Sequence, residues 1–235
     1  MNDKVEALIL KINDYKENDL ILEVITKDRG FLSFVAKGAK KITSKKHYYN
    51  LCLYEFIIDY KETKTMFTIH NSNFIKSYYD DSKLKLCSFE NILFEIMLKS
   101  KDLYEPLMYQ NIIFLLENIN DKNMYLLGSL FISYFLKING LSPSVDACVI
   151  CGNKKVAGIS FVAGGFLCVN HLNKTDNLDV NRLRKFRLIN KAEFKNYDDI
   201  KDAEYDFEDF KLMIDFFKEN ADLNLKSLKM FKSLF

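Results

Sequence analysis

The chain has 235 residues, of which 49% are hydrophobic and 28% charged, and a formal net charge of +2. These values indicate a globular protein that is long enough for two domains. The most apolar window, residues 125–136, is shorter than the ~20 residues of a membrane span, and residues 1–6 lack the features of a signal peptide. We therefore expect a cytoplasmic protein that does not bind membranes. In this reducing compartment, metal binding explains the cysteines better than disulfides do.

The first 78 residues have the pattern of short strands. Apolar side chains recur at every second position, as in Leu20, Leu22 and Val24, which is the period of a strand. Polar turns separate the runs and place five strands near residues 4–12, 20–27, 31–38, 51–60 and 65–77. Short antiparallel strands that close on themselves suit an OB-fold barrel, which commonly binds oligonucleotides. An SH3-like barrel would fit the pattern almost as well.

A run of lysines without an acid follows the third predicted strand. Its members are Lys37, Lys40, Lys41, Lys45 and Lys46. Such a segment at the exit of a barrel strand can bind phosphates, and a solvated loop is the alternative in a lysine-rich chain. Nearby aromatic residues are candidates for base stacking, although most are expected in the core. They are Tyr48, Tyr49, Tyr54, Tyr60 and Phe67.

Beyond residue 80 the apolar period becomes helical, with apolar residues at three- and four-residue steps. The periodic blocks cover residues 89–97, 112–116, 125–138 and 210–217. Gly140 is expected to end one helix, with Pro143 just beyond it, and helices resume near Asp179. The second half is therefore predicted to be a helical bundle.

Two closely spaced pairs of metal-ligand residues interrupt this bundle. They are Cys148, Cys151, Cys168 and His171. Each two-residue gap lets both side chains of a pair reach one ion, and zinc accepts thiolate sulfur and imidazole nitrogen. The segment between the pairs predicts a β-hairpin that folds the second pair onto the first. We predict one structural Zn²⁺, with ordinary buried cysteines as the alternative.

A second cluster of positive charge precedes an acidic stretch. Arg182, Arg184 and Arg187 are three of the four arginines in the chain, and arginine suits bidentate phosphate contacts. Seven acidic residues follow between positions 198 and 209, so pairing with that stretch is an equal alternative. On the last helical segment, Lys226 and Lys229 line one stripe and are further candidates for contact with nucleic acid.

Several short motifs stand in a characteristic order along the chain. In the first half these are the Tyr-x-Glu-x-Asp turn at 15–19, Thr26 with Gly30, and the Ala-Lys-Gly-Ala-basic-basic segment at 36–41. In the second half they are Gly-x-x-Pro at 140–143, Cys-x-x-Cys-Gly at 148–152, Gly-Gly at 164–165, and Leu-Lys-Ser-Leu-Lys at 225–229. This order resembles the RecO family of bacterial DNA-repair recombination mediators. His171 departs from the family, because a cysteine is common at its position.

The resemblance favours the OB fold over the SH3-like barrel. The predicted fold class is α+β and multidomain: an N-terminal five-stranded OB-fold barrel, then an α-helical bundle domain that carries an inserted zinc-binding hairpin module. The predicted domains are an OB-fold nucleic-acid-binding domain at 1–80, the first part of the helical domain at 81–145, the zinc-binding module at 146–173, and the C-terminal part of the helical domain at 174–235.

The resemblance also implies a function without catalytic turnover. Family members bind single- and double-stranded DNA, anneal complementary strands, and help load recombinase onto DNA coated with single-strand-binding protein. The implied partners are RecR and the acidic C-terminal tail of single-strand-binding protein, and the implied location is the bacterial cytoplasm at the nucleoid. We expect the tail to bind beyond residue 80, although the family's basic pair aligns with Ser129 and Leu130.

Two functions from other classes stay open at this point. A zinc-containing OB-fold protein could bind RNA, and the affinities for matched single-stranded DNA and RNA would separate the two. An enzyme could use Cys148 or Cys168 as a nucleophile with His171, and a zinc ion bound by all four side chains would exclude this. The sequence has no Gly-rich phosphate loop or nucleophile elbow that would favour catalysis.

Overall fold

The computed structural model describes residues 3–80, 82–100, 105–173, 178–221 and 224–235. The chain divides into two compact units, Met1–Glu117 and Asn118–Phe235. The predicted domain boundaries at residues 81 and 174 lie outside the described residues, and the four-part division stays a prediction. Within the described ranges, no helix has the length and apolarity needed to cross a membrane.

The first unit contains the predicted five-stranded barrel, and the OB-fold prediction is confirmed. Its strands are β1 (Asp3–Tyr15), β2 (Asp19–Thr26), β3 (Gly30–Ala36), β4 (Cys52–Ile58) and β5 (Met66–Ser77). The strand order is β1-β2-β3-β5-β4, and the antiparallel pairing of β1 with β4 closes the barrel. β1 ends three residues later than predicted, because its ladder with β2 continues to the pair Tyr15 and Asp19.

Alternating apolar residues of these strands fill the barrel. Phe34, Phe56 and Phe67 are buried in one cluster. The ring of Phe34 lies 5.2 Å from that of Phe56 and 6.5 Å from that of Phe67, in edge-to-face contacts. Burial of one such side chain stabilises a fold by about 1.5–3 kcal/mol, so the barrel has a substantial hydrophobic core of its own.

β5 carries two bulges opposite β4, at which His70 and Ile75 are the extra residues. At each bulge, the set of β5 residues that face the barrel interior shifts by one position along the strand. Between the bulges, Phe74 therefore lies opposite Tyr54, which is buried in the barrel core. Phe74 is nevertheless 60% exposed, so the barrel is not closed over its side chain.

Helices α1 (Leu84–Lys99) and α2 (Met108–Asn118) follow the barrel, and nearly all of their residues belong to the first unit. Tyr109 of α2 donates a hydrogen bond from its hydroxyl to Glu6 of β1 at 2.9 Å. Glu90 of α1 is a buried carboxyl whose Oε2 has no hydrogen-bond partner among the described residues. Burial raises the pKa of Glu90 to about 7.

The second unit contains the later helices of the predicted bundle and the inserted hairpin, whereas the structure groups α1 and most of α2 with the barrel. Its helices are α3 (Met124–Ile138), α4 (Val180–Lys191), α5 (Phe207–Ala221) and α6 (Lys226–Leu234). Most of α3 is buried, and it packs against α4 and α5. Between α3 and α4, the strands β6 (Gly158–Ser160) and β7 (Gly165–Leu167) form the predicted antiparallel hairpin.

The ends of two helices follow the predicted signals. Gly140 ends α3 with a φ of 69°, and Leu141 N–H donates to the carbonyl of Leu136 at 2.8 Å. This is the left-handed termination that glycine favours. Asp179 caps α4, because its side chain accepts a hydrogen bond from the backbone N–H of Arg182 at 2.9 Å.

Candidate metal centre and nucleic-acid interface

The four predicted metal ligands lie together in the second unit. The ligand atoms of Cys148, Cys151, Cys168 and His171 all fall within 4.8 Å of one another. Cys151 Sγ lies 3.7 Å from Cys168 Sγ, and His171 Nδ1 lies 3.4 Å from Cys168 Sγ. An ion ~2.3 Å from each sulfur would set tetrahedral sulfur–sulfur distances of roughly 3.8 Å. The observed spacing therefore fits a tetrahedral metal site.

Two short turns present these ligands. Gly152 has a φ of 71°, and its N–H donates to the carbonyl of Cys148 at 2.8 Å. His171 N–H donates in the same way to the carbonyl of Cys168 at 3.0 Å. Among the described residues, Cys148, Leu167 and Cys168 form a small buried cluster at the site, with Val149 and Leu172 packed against it. A metal bound by all four side chains would join the two turns and add to the stability of the hairpin.

Gly165 joins the hairpin to the loop that follows α3. Phe166 N–H donates to the carbonyl of Ser144, and Ser144 N–H donates to the carbonyl of Gly164, both at 2.9 Å. A Cβ on Gly165 would lie 2.3 Å from Ser144 O. Gly164 has a φ of 74°, so the two glycines serve different needs: one adopts the left-handed conformation and the other permits close backbone approach.

The electrostatics of the cluster favour a thiolate at Cys148. Burial would raise the pKa of the Cys148 thiol, but backbone hydrogen bonds at Cys168 and Cys151 and the His171 side chain lower it to about 5. A hydrogen bond at the Asn153 backbone lowers the pKa of Cys151, whereas burial and the two neighbouring sulfurs raise it, with a net rise. The thiolate is the form that binds metal. The cluster could therefore hold a metal ion with four protein donors and no open position.

The lysines predicted to bind phosphate lie at residues 37–51, the β3–β4 connection of the first unit. Lys37, Lys41 and Lys45 are exposed and form no ion pair within the described part of the chain. Lys40 pairs with Asp14 at 2.8 Å, and Lys46 Nζ donates to the carbonyl of Lys37 at 3.2 Å. This connection leaves several cations facing solvent. That they bind DNA stays a prediction.

A groove of about 440 Å³ lies beside this connection. Its lining includes Lys45, Lys46, Tyr49, Tyr54, Asn71 and Phe74. None of the described residues that line it is acidic. Tyr49 is 62% exposed there, and Phe74 is 60% exposed. The groove therefore combines exposed aromatic rings with positive charge.

Most of the predicted stacking aromatics belong to the core, as expected. Tyr48, Tyr54 and Phe67 are buried. Tyr60 stacks on Phe67, with ring centroids 4.9 Å apart. Phe74 was not among the predicted stacking residues, although one signal marks it: it is an aromatic residue that follows the polar run 70–73 within a predicted strand.

Most of the cations of α4 lie in ion pairs, and Arg184 is the exception among the described residues. Arg182 contacts Asp209 at 2.9 Å, and Lys185 contacts the same carboxylate at 2.7 Å. Arg187 contacts Asp146 at 2.7 Å. Arg184 is exposed and forms no ion pair among the residues that the structure describes. The pairing of Arg182 agrees with the alternative that α4 contacts the acidic stretch, whereas Arg187 pairs with an acid outside that stretch. DNA contact by these arginines stays a prediction.

The last helix has the two faces that its sequence predicts. Leu225, Leu228 and Phe231 are buried. Lys226 and Lys229 are exposed on α6, and their three-residue spacing places them on one side of the helix. Their contact with DNA also stays a prediction.

Comparison with known proteins gives matches along most of the chain. The family model described as Recombination protein O N terminal matches residues 1–78, and the one described as Recombination protein O C terminal matches residues 92–229. The chain belongs to the RecO family. The N-terminal match ends just after β5, so it coincides with the barrel. The C-terminal match includes the Cys/His cluster and α4.

Several relatives carry the name DNA repair protein RecO. The one from Lactobacillus acidophilus is 26% identical over 245 residues, which cover 98% of this chain and 96% of the relative. The one from Lactobacillus helveticus is 26% identical over 249 residues, which cover 96% of this chain and 94% of the relative. A third, from Moorella thermoacetica, is 28% identical over 179 residues, with coverage of 70% and 64%. The predicted resemblance to RecO is confirmed.

Proposed function

We propose that this RecO family member is a recombination mediator in DNA repair. It binds single- and double-stranded DNA, anneals complementary strands, and helps load recombinase onto DNA coated with single-strand-binding protein. The observation that carries the proposal is the family match over both halves of the chain, to relatives named DNA repair protein RecO. The match favours DNA over RNA as the ligand.

The exposed lysines of the β3–β4 connection support DNA binding on physical grounds. Annealing requires two polyanions to be held close together, and cations that replace condensed counterions screen their repulsion. Lys37, Lys41 and Lys45 are exposed and form no ion pair within the described part of the chain. We propose that they contact phosphates together with Lys40 and Lys46. Secondary contacts are proposed for Arg182, Arg184, Arg187, Lys226 and Lys229.

The Cys/His cluster is proposed to hold one structural zinc ion. Three sulfur donors and one imidazole nitrogen within 4.8 Å of one another are a donor set that zinc prefers. Four protein donors fill a tetrahedral site, so no position is left for a reactive water. We accordingly propose that the protein works by binding, without catalytic turnover.

The family partners RecR and single-strand-binding protein are proposed for this chain. The tail of single-strand-binding protein is acidic with an apolar end, so its receptor should offer apolar contacts edged with cations. The second unit has such side chains, as at Met230 and Leu234, which are exposed on the same helix as Lys229. We propose that the tail binds beyond residue 80, and that the protein acts in the bacterial cytoplasm at the nucleoid.

An annealing assay tests this function directly. Labelled complementary DNA strands are coated with the cognate single-strand-binding protein, and duplex formation is followed with and without the full-length chain. We expect the chain to accelerate annealing and to bind DNA more tightly than matched RNA. Unchanged annealing rates, or a preference for RNA, would contradict the proposal.

A further inference from the structure

The groove beside the β3–β4 connection has the chemistry of a site for a nucleobase. We propose that it binds one unpaired base of single-stranded DNA, stacked on Tyr49 or Phe74, with Lys45 and Lys46 at the adjoining phosphates. This inference rests on the proposed binding of DNA. It adds that the barrel distinguishes single-stranded from double-stranded DNA. It assigns the groove to single strands and the remaining lysines to either form of DNA.

The exposure of Phe74 is the first observation that supports this site. Its register opposite Tyr54 places it at an inward-facing position of the barrel, where a phenylalanine is normally covered. Its ring meets Tyr54 in an edge-type contact, with centroids 5.5 Å apart and an interplanar angle of 79°. The ring is still largely uncovered, and a base can use an uncovered aromatic face for stacking.

The residues beneath these rings are held in place by hydrogen bonds. Tyr54 donates from its hydroxyl to the carbonyl of His47 at 3.1 Å, and the hydroxyls of Tyr48 and Ser72 lie 3.1 Å apart. Burial raises the pKa of Tyr54 to about 12, so its hydroxyl keeps its proton at neutral pH. Because these side chains are already ordered, the protein should lose less conformational entropy when a base binds.

The charge of the groove suits a nucleic acid strand. Lys45 has no ion pair within the described residues, and the partner of Lys46 is a neutral carbonyl. Bases within a duplex are stacked on their neighbours and cannot offer a free face unless they are extruded. Phosphates are present in both forms of DNA. Loss of the aromatic rings should therefore weaken binding to single strands only.

Full-length Phe74→Ala and Tyr49→Ala proteins test the site, with Tyr79→Ala as the matched control. Tyr79 is 51% exposed in the same unit and does not line the groove. Affinity for a single strand and for a duplex of equal length is measured at one salt concentration. We expect at least one groove variant to lose about 5- to 100-fold in single-strand affinity, as for one stacked base, with duplex affinity unchanged. A 2-aminopurine in the strand should be quenched by the wild-type protein and less by that variant.

The outcomes separate this inference from the proposed function. If the wild-type chain binds both forms of DNA and both groove variants keep full single-strand affinity and quenching, the base site is overturned and DNA binding stands. Equal losses on single strands and duplexes would also overturn the site. If the wild-type chain binds neither form, both proposals fail. Both replaced side chains are more than half exposed, so the variants should fold, and an unchanged thermal melting curve checks this.

Discussion

The two acid-free runs of cations, one in each unit, differ in how many of their members form ion pairs. In the first unit, Lys37, Lys41 and Lys45 face solvent without an ion pair among the described residues. In the second unit, Arg182 and Arg187 are held by acids from other segments. Both runs are free of acids in the sequence. Whether an acid-free run becomes a positive surface therefore depends on how many acids the fold brings to it from other segments.

The same contrast holds for buried acids. Asp209 in the second unit is 4% exposed and contacts the cations of Arg182 and Lys185. Glu90 in the first unit is 3% exposed, and one of its oxygens has no hydrogen-bond partner among the described residues. A buried carboxylate is tolerated when it is paired and is costly when it is not. The two carboxyls should therefore respond to substitution in opposite directions.

Removal of a metal ligand should give the largest effect and should be confined to the second unit. Cys168→Ser should lose the zinc and unfold the hairpin, because structural zinc contributes on the order of 10 kcal/mol to the folding of small modules. His171→Ala should retain more metal than Cys168→Ser. Elemental analysis and thermal unfolding measure both effects. Cys52→Ser, in the barrel core, is the control and should keep one zinc per chain. Near-zero metal in wild-type protein purified without chelator would contradict the zinc site.

Asp209→Asn should give the next largest effect. It leaves Arg182 and Lys185 without their shared buried partner, so we expect a loss of about 3 kcal/mol in the free energy of unfolding, measured with urea. Asp206→Asn is the control, because Asp206 is 57% exposed in its pair with Arg182 and should lose less than about 1 kcal/mol. Equal losses for the two variants would show that burial of the pair is unimportant.

Glu90→Gln should stabilise the protein at alkaline pH. The folded-state pKa of Glu90 is raised to about 7, so the native state holds its proton longer than the unfolded chain does. The wild-type protein should then lose stability as the pH rises from about 4.5 to 7. We expect Glu90→Gln to gain about 2 kcal/mol at pH 8 and little near pH 4. Glu95→Gln on the same helix is the control, and a matching gain there would contradict the role of burial.

Arg184→Ala and Arg187→Ala should show the smallest effect, on DNA affinity. Arg184 forms no ion pair within the described residues, whereas Arg187 is held by Asp146. We expect Arg184→Ala to weaken DNA binding by about 2- to 5-fold, as for one lost phosphate contact, and Arg187→Ala to change it less. Fluorescence anisotropy with a labelled single strand measures both. A larger loss for Arg187→Ala would reverse the contrast between paired and unpaired cations.

The parts of the molecule that depend on local pattern were predictable. The strands follow from the alternation of apolar residues, and the Cys/His cluster follows from two short spacings around a hairpin. Gly140 and Asp179 mark helix ends with signals that lie next to them in the sequence. Each of these features is decided within a few residues, which is the range over which sequence patterns carry information.

The parts that depend on distant residues were not predictable. The inward-facing register of Phe74 results from two bulges in β5, which the alternation of apolar residues does not reveal. The contact of Gly165 with Ser144 joins segments twenty-one residues apart. The sequence indicated that α4 could pair with the acidic stretch, but only the fold shows that Asp209 is the buried partner.

The salt dependence of single-strand binding tests most directly whether the β3–β4 connection makes more phosphate contacts with DNA than the paired cations of α4 do. Two full-length variants are compared with the wild-type chain: Lys37, Lys40 and Lys41 replaced together by Ala, and Arg187 with Lys191, which both contact Asp146, replaced together by Ala. We expect the first variant to bind all sequences more weakly and to lose up to about 2 units of slope, roughly 0.7 for each lost phosphate contact. The second should lose less slope than the first, because its cations are already paired with Asp146. An unchanged slope in a folded first variant, or a larger loss in the second, would contradict this assignment.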